Sequence, residues 1–387
     1  MNFTALHSLR RRARAFTLIE LLVAGTLAVL IAGFLIGILG NTMDLWSRTS
    51  GRVDAAAQGR LVLDQLAQDL QGAIFRDDGG TKVWFAVRVL PDTSNSTIWA
   101  TAQAPTRQKP GNASAGTDAS SLDLAATRPG LLERGRLADT RNGVAGMWLR
   151  FFTTSRGTNA ATASLSTPVA VSYQIIRHLT ASNPSAVSSD QRYLLYRSEV
   201  RPVQLVPNSA NFTTARPGVL ESGFDLNPNL TTSNYAITRP PTTNDGSQLG
   251  DPYSIKRPNH QGNILADNVI DFGVRLYVRD STKADGLRLI YPVNAAGQLA
   301  NVTTDRLATT SSTTGTDATR FPEVVDVMVR ILTPRGAALI AALESNPNKL
   351  ATTRPQAYRT DAEWWWAIAL QNSQVFTRRI ILPAQPQ

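Results

Sequence analysis

The sequence predicts an α+β chain in which one long N-terminal helix, transmembrane and then amphipathic, carries an antiparallel β-sheet head. Two observations predict it. An uncharged run of 20 residues, Leu21 to Gly40, is followed by a segment with helical period. Farther on, the pattern changes to short runs rich in aromatic and β-branched residues, separated by Thr-, Ser-, Asn-, Pro- and Gly-rich spacers. A charged fraction of only 18% suits such a loop-rich β head better than a helical bundle.

The helix comes first. At about 1.5 Å per residue the run 21–40 spans about 30 Å, the thickness of a bilayer core. Arg10, Arg11, Arg12 and Arg14 lie on its N-terminal side with no acid among residues 1–15. The positive-inside rule therefore keeps the short N-terminus cytoplasmic and exports the rest. A secretory signal peptide fits poorly. Its apolar region is about 7–15 residues with the small-residue cleavage site after it, whereas Ala13 to Ala15 precedes the run. A plain signal anchor has the same hydropathy, and Glu20 is what separates the two readings. A carboxylate beside the apolar core is expensive to leave unpaired and points to a partner. Cleavage between Ala15 and Phe16 exposes an α-ammonium four residues upstream of Glu20. In a stack of staggered helices one Glu20 can then pair with a neighbour's new terminus and set the axial register.

Phe16, Thr17, Leu18, Ile19 and Glu20, behind a basic leader and before an apolar helix, resemble the prepilin signature of type IV pilins and type II secretion pseudopilins. The resemblance implies cleavage by a membrane-embedded prepilin peptidase and N-methylation of Phe16. Ala15 stands where that family usually has glycine, a departure at the cleavage position itself. On this reading residues 1–15 are the leader. Residues 16–76 are the N-terminal helix, transmembrane over 21–40 and amphipathic over 41–76, and 77–387 are the extracytoplasmic head. After residue 41, Leu63, Leu66, Leu70 and Ile74 fall on one helical face, and Gly72 with the Asp77–Gly80 cluster ends the helix.

The head reads as strands at 82–90, 147–155, 169–177, 193–201, 268–280, 287–293, 323–332 and 375–383. Short helices are expected at 335–344 and 361–371, and 169–177 with 193–201 as a hairpin. The spacers 91–130, 202–262 and 300–320 read as surface insertions in a single head domain. The stretches 63–73, 193–202, 268–277 and 321–332 resemble, in order and approximate spacing, the J-type minor pseudopilin; the insertions depart from it. The combination is also similar to the Verru_Chthon cassette protein C family. Glu20 argues against the K-type tip subunit, which characteristically lacks that acid.

Enzymatic and cofactor chemistry is not expected. No cysteine is present, which excludes disulfides, thiolate zinc sites and thiol catalysis. The three histidines, His7, His178 and His260, belong to no metal or nucleophile motif. Asn244, Asp245, Gly246 and Asp251 lack the regular spacing of a calcium loop and read as a solvated turn. The formal charge of +10 includes four leader arginines, and the other basic residues are scattered, so nucleic acid is not an expected partner. Trp148, Arg150 and Phe151 could stack single-stranded DNA, but ordinary strand alternation explains them. Trp364, Trp365 and Trp366 point about 100° apart on a helix, so one or two pack on the sheet and the remainder could contact another subunit.

The function expected is that of a minor pilin or pseudopilin, a non-enzymatic subunit of a type IV pilus- or type II secretion-like filament. Its expected place is the bacterial inner membrane, with the head periplasmic or at the surface. Its expected partners are the prepilin peptidase and other pilins through the helix. The alternative is an adhesin or DNA receptor exported by the same route.

Overall fold

The computed structural model describes residues 17–76, 83–89, 147–154, 168–179, 191–200, 226, 264–293, 306–309, 317–344, 349–358 and 361–382. The chain divides into two compact units, 1–50 and 51–387. In the first, the described residues form the opening part of helix α1 (Leu18–Gln71), and every one of them is exposed.

The second unit takes up α1 at Gly51, well before the residue 77 at which the composition turns head-like. From here the helix has a buried face. Val62, Leu66 and Leu70 are wholly buried, with Ala55, Leu63 and Ala67 beside them. Gly59 is there because of Phe376: a Cβ would come within 2.5 to 2.7 Å of that ring. The helix stops at Gln71 because β2 claims its next backbone groups. Ile74 N–H donates to Phe152 O at 2.9 Å, Thr154 N–H donates to Gly72 O at 3.0 Å, and Ala73 bridges Thr153.

Among the described residues, ten strands form two antiparallel sheets. They are β1 (Phe85–Val89), β2 (Met147–Thr154), β3 (Pro168–Leu179), β4 (Gln191–Val200), β5 (Ile264–Asp267), β6 (Val269–Arg279), β7 (Leu287–Tyr291), β8 (Arg306–Ala308), β9 (Val324–Leu332) and β10 (Ser373–Ile381). One sheet runs β5-β4-β3-β2-β1-β8 and the other β10-β9-β6-β7. The expected hairpin is β3–β4, paired from Ala170↔Val200 to Leu179↔Gln191. Asn268 joins the sheets. At φ 57° it adopts the left-handed conformation that asparagine tolerates, and the chain passes there from β5 in one sheet to β6 in the other.

Three helices follow: α2 (Pro334–Glu344), α3 (Lys349–Thr353) and α4 (Asp361–Gln371). Thr333 caps α2, its hydroxyl accepting from Gly336 N–H at 3.2 Å, with Pro334 in the first helical position. α3, β5 and β8 have no counterpart among the segments read from sequence. The spacer 300–320 is corrected on this point, because β8 lies inside it and pairs with β1. Three or four residues are too few to show a period. Most of the other two spacers, 91–130 and 202–262, lies outside the described residues.

In the tryptophan cluster two rings are buried and one is half-buried. Trp365 and Trp366 are both 0% exposed, edge-to-face at 5.0 Å, and Trp365 meets Tyr193 at 6.1 Å. They belong to the core and present no ring to another subunit. Trp364 is half-buried and packs on Tyr358 at 4.9 Å. Arg150 and Phe151 are wholly buried, Phe151 between the rings of Phe85 and Tyr173, so neither can stack a nucleobase. The side chains of Trp148 and His178 lie outside the described residues, as do His7, His260 and the Asn244–Asp251 turn.

Candidate functional site at the start of the helix

The apolar run sits in α1 with its side chains turned outward. From Leu18 to Leu39 the large apolar residues are exposed, including Leu21, Leu27, Leu30, Phe34 and Leu35. Burial in the fold therefore does not explain the run. The helix is long and apolar enough to cross a membrane, which is compatible with a single-pass anchor. The hydroxyls in and beside the run are turned inward. Thr26 Oγ1 donates to Val23 O at 2.9 Å and Thr42 Oγ1 to Ile38 O at 2.8 Å, so neither presents an unpaired donor to hydrocarbon.

At the first turn, Thr17 is the N-cap and Glu20 the third helical residue. Thr17 N–H and Thr17 Oγ1 both donate to Glu20 Oε2 at 3.0 Å, and Glu20 N–H donates to Thr17 Oγ1 at 3.3 Å. This is a reciprocal capping box, and it satisfies backbone donors that a helix start leaves without partners. The carboxylate also sits at the positive end of the helix dipole. Glu20 thus has a role within its own chain that the charge argument from sequence overlooked. The signal was present: Thr-x-x-Glu before an apolar run is the pattern of such a box. Only one carboxylate oxygen is used; Oε1 accepts no hydrogen bond among the described residues. Ala15, Phe16, Arg10, Arg11, Arg12 and Arg14 lie outside the described residues.

A second polar cluster holds the other end of the helix to the larger sheet. Asp69, 6% exposed, takes a fork from Arg197 on β4: Nε to Oδ2 at 2.6 Å and Nη2 to Oδ1 at 3.1 Å. The Tyr173 hydroxyl on β3 donates to Oδ2, and Gln65 Nε2 donates to Oδ1 at 3.1 Å. Arg197 Nη1 reaches Glu199 Oε2 at 2.7 Å, and Thr153 Oγ1 donates to the Asp69 carbonyl at 2.7 Å. Burial, and then the Asp69 charge, push the Tyr173 phenol well above its ordinary range. Farther back along the helix, Gln58 Nε2 donates to Asp267 Oδ1 on β5 of the same sheet at 2.6 Å, and Arg378 on β10 of the second sheet pairs with Asp64. The carboxylates of Asp64, Asp69 and Asp267 are each paired across the fold, while Gln58 Oε1 is buried without a hydrogen bond among the described residues. Among the described residues no group of three or more His, Asp or Glu is placed to hold a metal ion. Asp69 and Arg197 are 128 residues apart, and no local pattern could have joined them.

No family model, curated protein or solved structure matches the chain.

Proposed function

We propose that this chain is a minor pilin- or pseudopilin-like structural subunit. In this reading it is inserted in the membrane by α1, cleaved before Phe16, N-methylated there, and assembled through the helix into a type IV pilus- or type II secretion-like filament. The observation that carries the reading is an apolar helix with no burial along its run, opening on Thr17, Leu18, Ile19 and Glu20. A long apolar surface with one carboxylate at its first turn fits a helix that passes from lipid into a bundle of like helices. The free Oε1 of Glu20 leaves room for a donor from a neighbouring terminus while the cap stays in place. In the head, the buried Asp69 holds helix to sheet, which fits a structural subunit.

The test is mass spectrometry of the N-terminus of the protein recovered from membranes of a strain with active prepilin peptidase. A chain beginning with N-methylated Phe16 is expected. Recovery of a chain that still carries Arg14 and Ala15 overturns the reading and leaves a membrane-anchored protein that is never processed.

A further inference from the structure

We propose that Trp46 sits in the lipid headgroup layer on the head's side of the membrane and fixes the depth of the anchor; this rests on the single-pass reading above. Charge-free sequence ends at Met43, and the next charges are Asp44 and Arg48, paired at 2.6 Å one turn apart. Between them stands Trp46, 76% exposed, flanked by exposed Leu45 and Met43. The ring continues the exposed apolar surface of the span past its last apolar turn, where aromatic residues gather at membrane interfaces.

Helical geometry supplies the depth. Trp46 lies six residues past Gly40, or about 9 Å along the axis. The interfacial layer on each side of the hydrocarbon is about 5–8 Å thick. Side chains on a helix lean toward its N-terminus, which carries the indole back from its Cα into that layer. There an indole can bury its ring against acyl chains and keep its N–H wet, which is why tryptophan gathers at membrane interfaces. The charges agree with this depth. Asp44 and Arg48 lie two residues to either side of Trp46, about 200° around the helix, so the ion pair takes the face opposite the ring. Asp44 is nearer the hydrocarbon, and Arg48 leans back over it and compensates its charge. Ser47, Thr49 and Ser50 complete a polar band just beyond. A ring seated against a second protein would not require this match between ring position, ion pair and span end.

The absence of cysteine makes the depth measurable, because one introduced thiol is unique. Full-length Leu35→Cys and Ser47→Cys variants, the second keeping Trp46, are labelled with bimane and reconstituted in phosphatidylcholine–phosphatidylglycerol vesicles. The vesicles carry nitroxide at the headgroup or deep in the acyl chain. The Leu35→Cys label is expected to lose fluorescence to the deep nitroxide. The Ser47→Cys label is expected to lose it to the headgroup nitroxide, and Trp46→Ala in that background to shift the loss toward aqueous iodide. Iodide quenching at Ser47→Cys with Trp46 intact places the ring in water and overturns the proposal. Quenching by neither nitroxide nor iodide means a neighbouring chain covers it, which overturns it equally. Loss at Leu35→Cys together with either result leaves the anchor standing. No loss at Leu35→Cys removes the anchor and this proposal together. Assembly and cleavage are read by the N-terminal mass and do not enter these outcomes.

Discussion

Glu20 is where two roles meet at a single side chain. Its Oε2 is taken by Thr17 and its Oε1 accepts no hydrogen bond among the described residues, so capping and inter-subunit pairing make different demands on the same carboxyl. Capping needs an acceptor, which glutamine also supplies; pairing with an α-ammonium needs the negative charge. Glu20→Gln is therefore expected to be cleaved normally but to be depleted from assembled filaments, and Glu20→Ala to be depleted as strongly. Filament fractions blotted against total membrane protein read the difference. Wild-type incorporation of Glu20→Gln would sink the pairing role and leave Glu20 as a cap. At the same scale the sequence displayed the acid plainly and also displayed Thr17. What it could not display was that the two side chains meet, which requires the helix to begin at Leu18 and not earlier.

At the scale of elements, the join between helix and sheet depends on Asp69. Removing one member of a buried, hydrogen-bonded pair costs more than the pair contributes, because the remaining charge keeps its desolvation without its compensation. Arg197→Ala leaves Asp69 with Tyr173 and Gln65 alone and is expected to cost about 3 kcal/mol. Urea unfolding of the full chain in detergent measures it; a loss under about 1 kcal/mol would place the pair among ordinary surface salt bridges. The helical face Leu63, Leu66 and Leu70 was legible because the 3.6 period repeats, and all three are buried; Ile74, expected on the same face, is buried too but lies past the end of the helix, where its N–H pairs with β2. The strands of five residues or more were legible as runs rich in β-branched and aromatic residues, and β6 and β9 are buried almost throughout. β5, β8 and α3 were not, being shorter than one readable repeat. Trp364, Trp365 and Trp366 mark the limit: spacing shows that three consecutive rings diverge, and only the position of α4 against Tyr193 decides which are covered.

At the scale of the whole head, buried tyrosines link stability to alkaline pH. Burial pushes the Tyr196 phenol from near 10 up to about 12, and Tyr173 is raised as well. A raised value in the fold favours the neutral phenol, so this stability is full below about pH 10 and lost as pH climbs through about 12. The urea midpoint is expected to hold steady up to about pH 10 and then fall, and Tyr196→Phe to flatten part of that fall. An equal fall in Tyr196→Phe assigns the effect elsewhere. Cooperative loss should come from residues 51–387, since the described residues of 1–50 form a helix with no packed face of its own.

The sequence by itself determined what depends on local order along the chain. That includes the place and length of the apolar span, the acid at its edge, the helical period behind it and the alternation that makes long strands. Hydropathy and period are sums over neighbours, and neighbours are what a sequence states. The tertiary structure decided what depends on contacts between distant segments. It put Asp69 with Arg197 and Tyr173, closed β8 onto β1, used Asn268 to pass the chain between two sheets, and withdrew two of three tryptophans into the core. Such pairings join residues 128 positions apart at Asp69 and Arg197 and farther still where β8 meets β1, and they arise only when the backbone has closed those loops and water has left the faces between them.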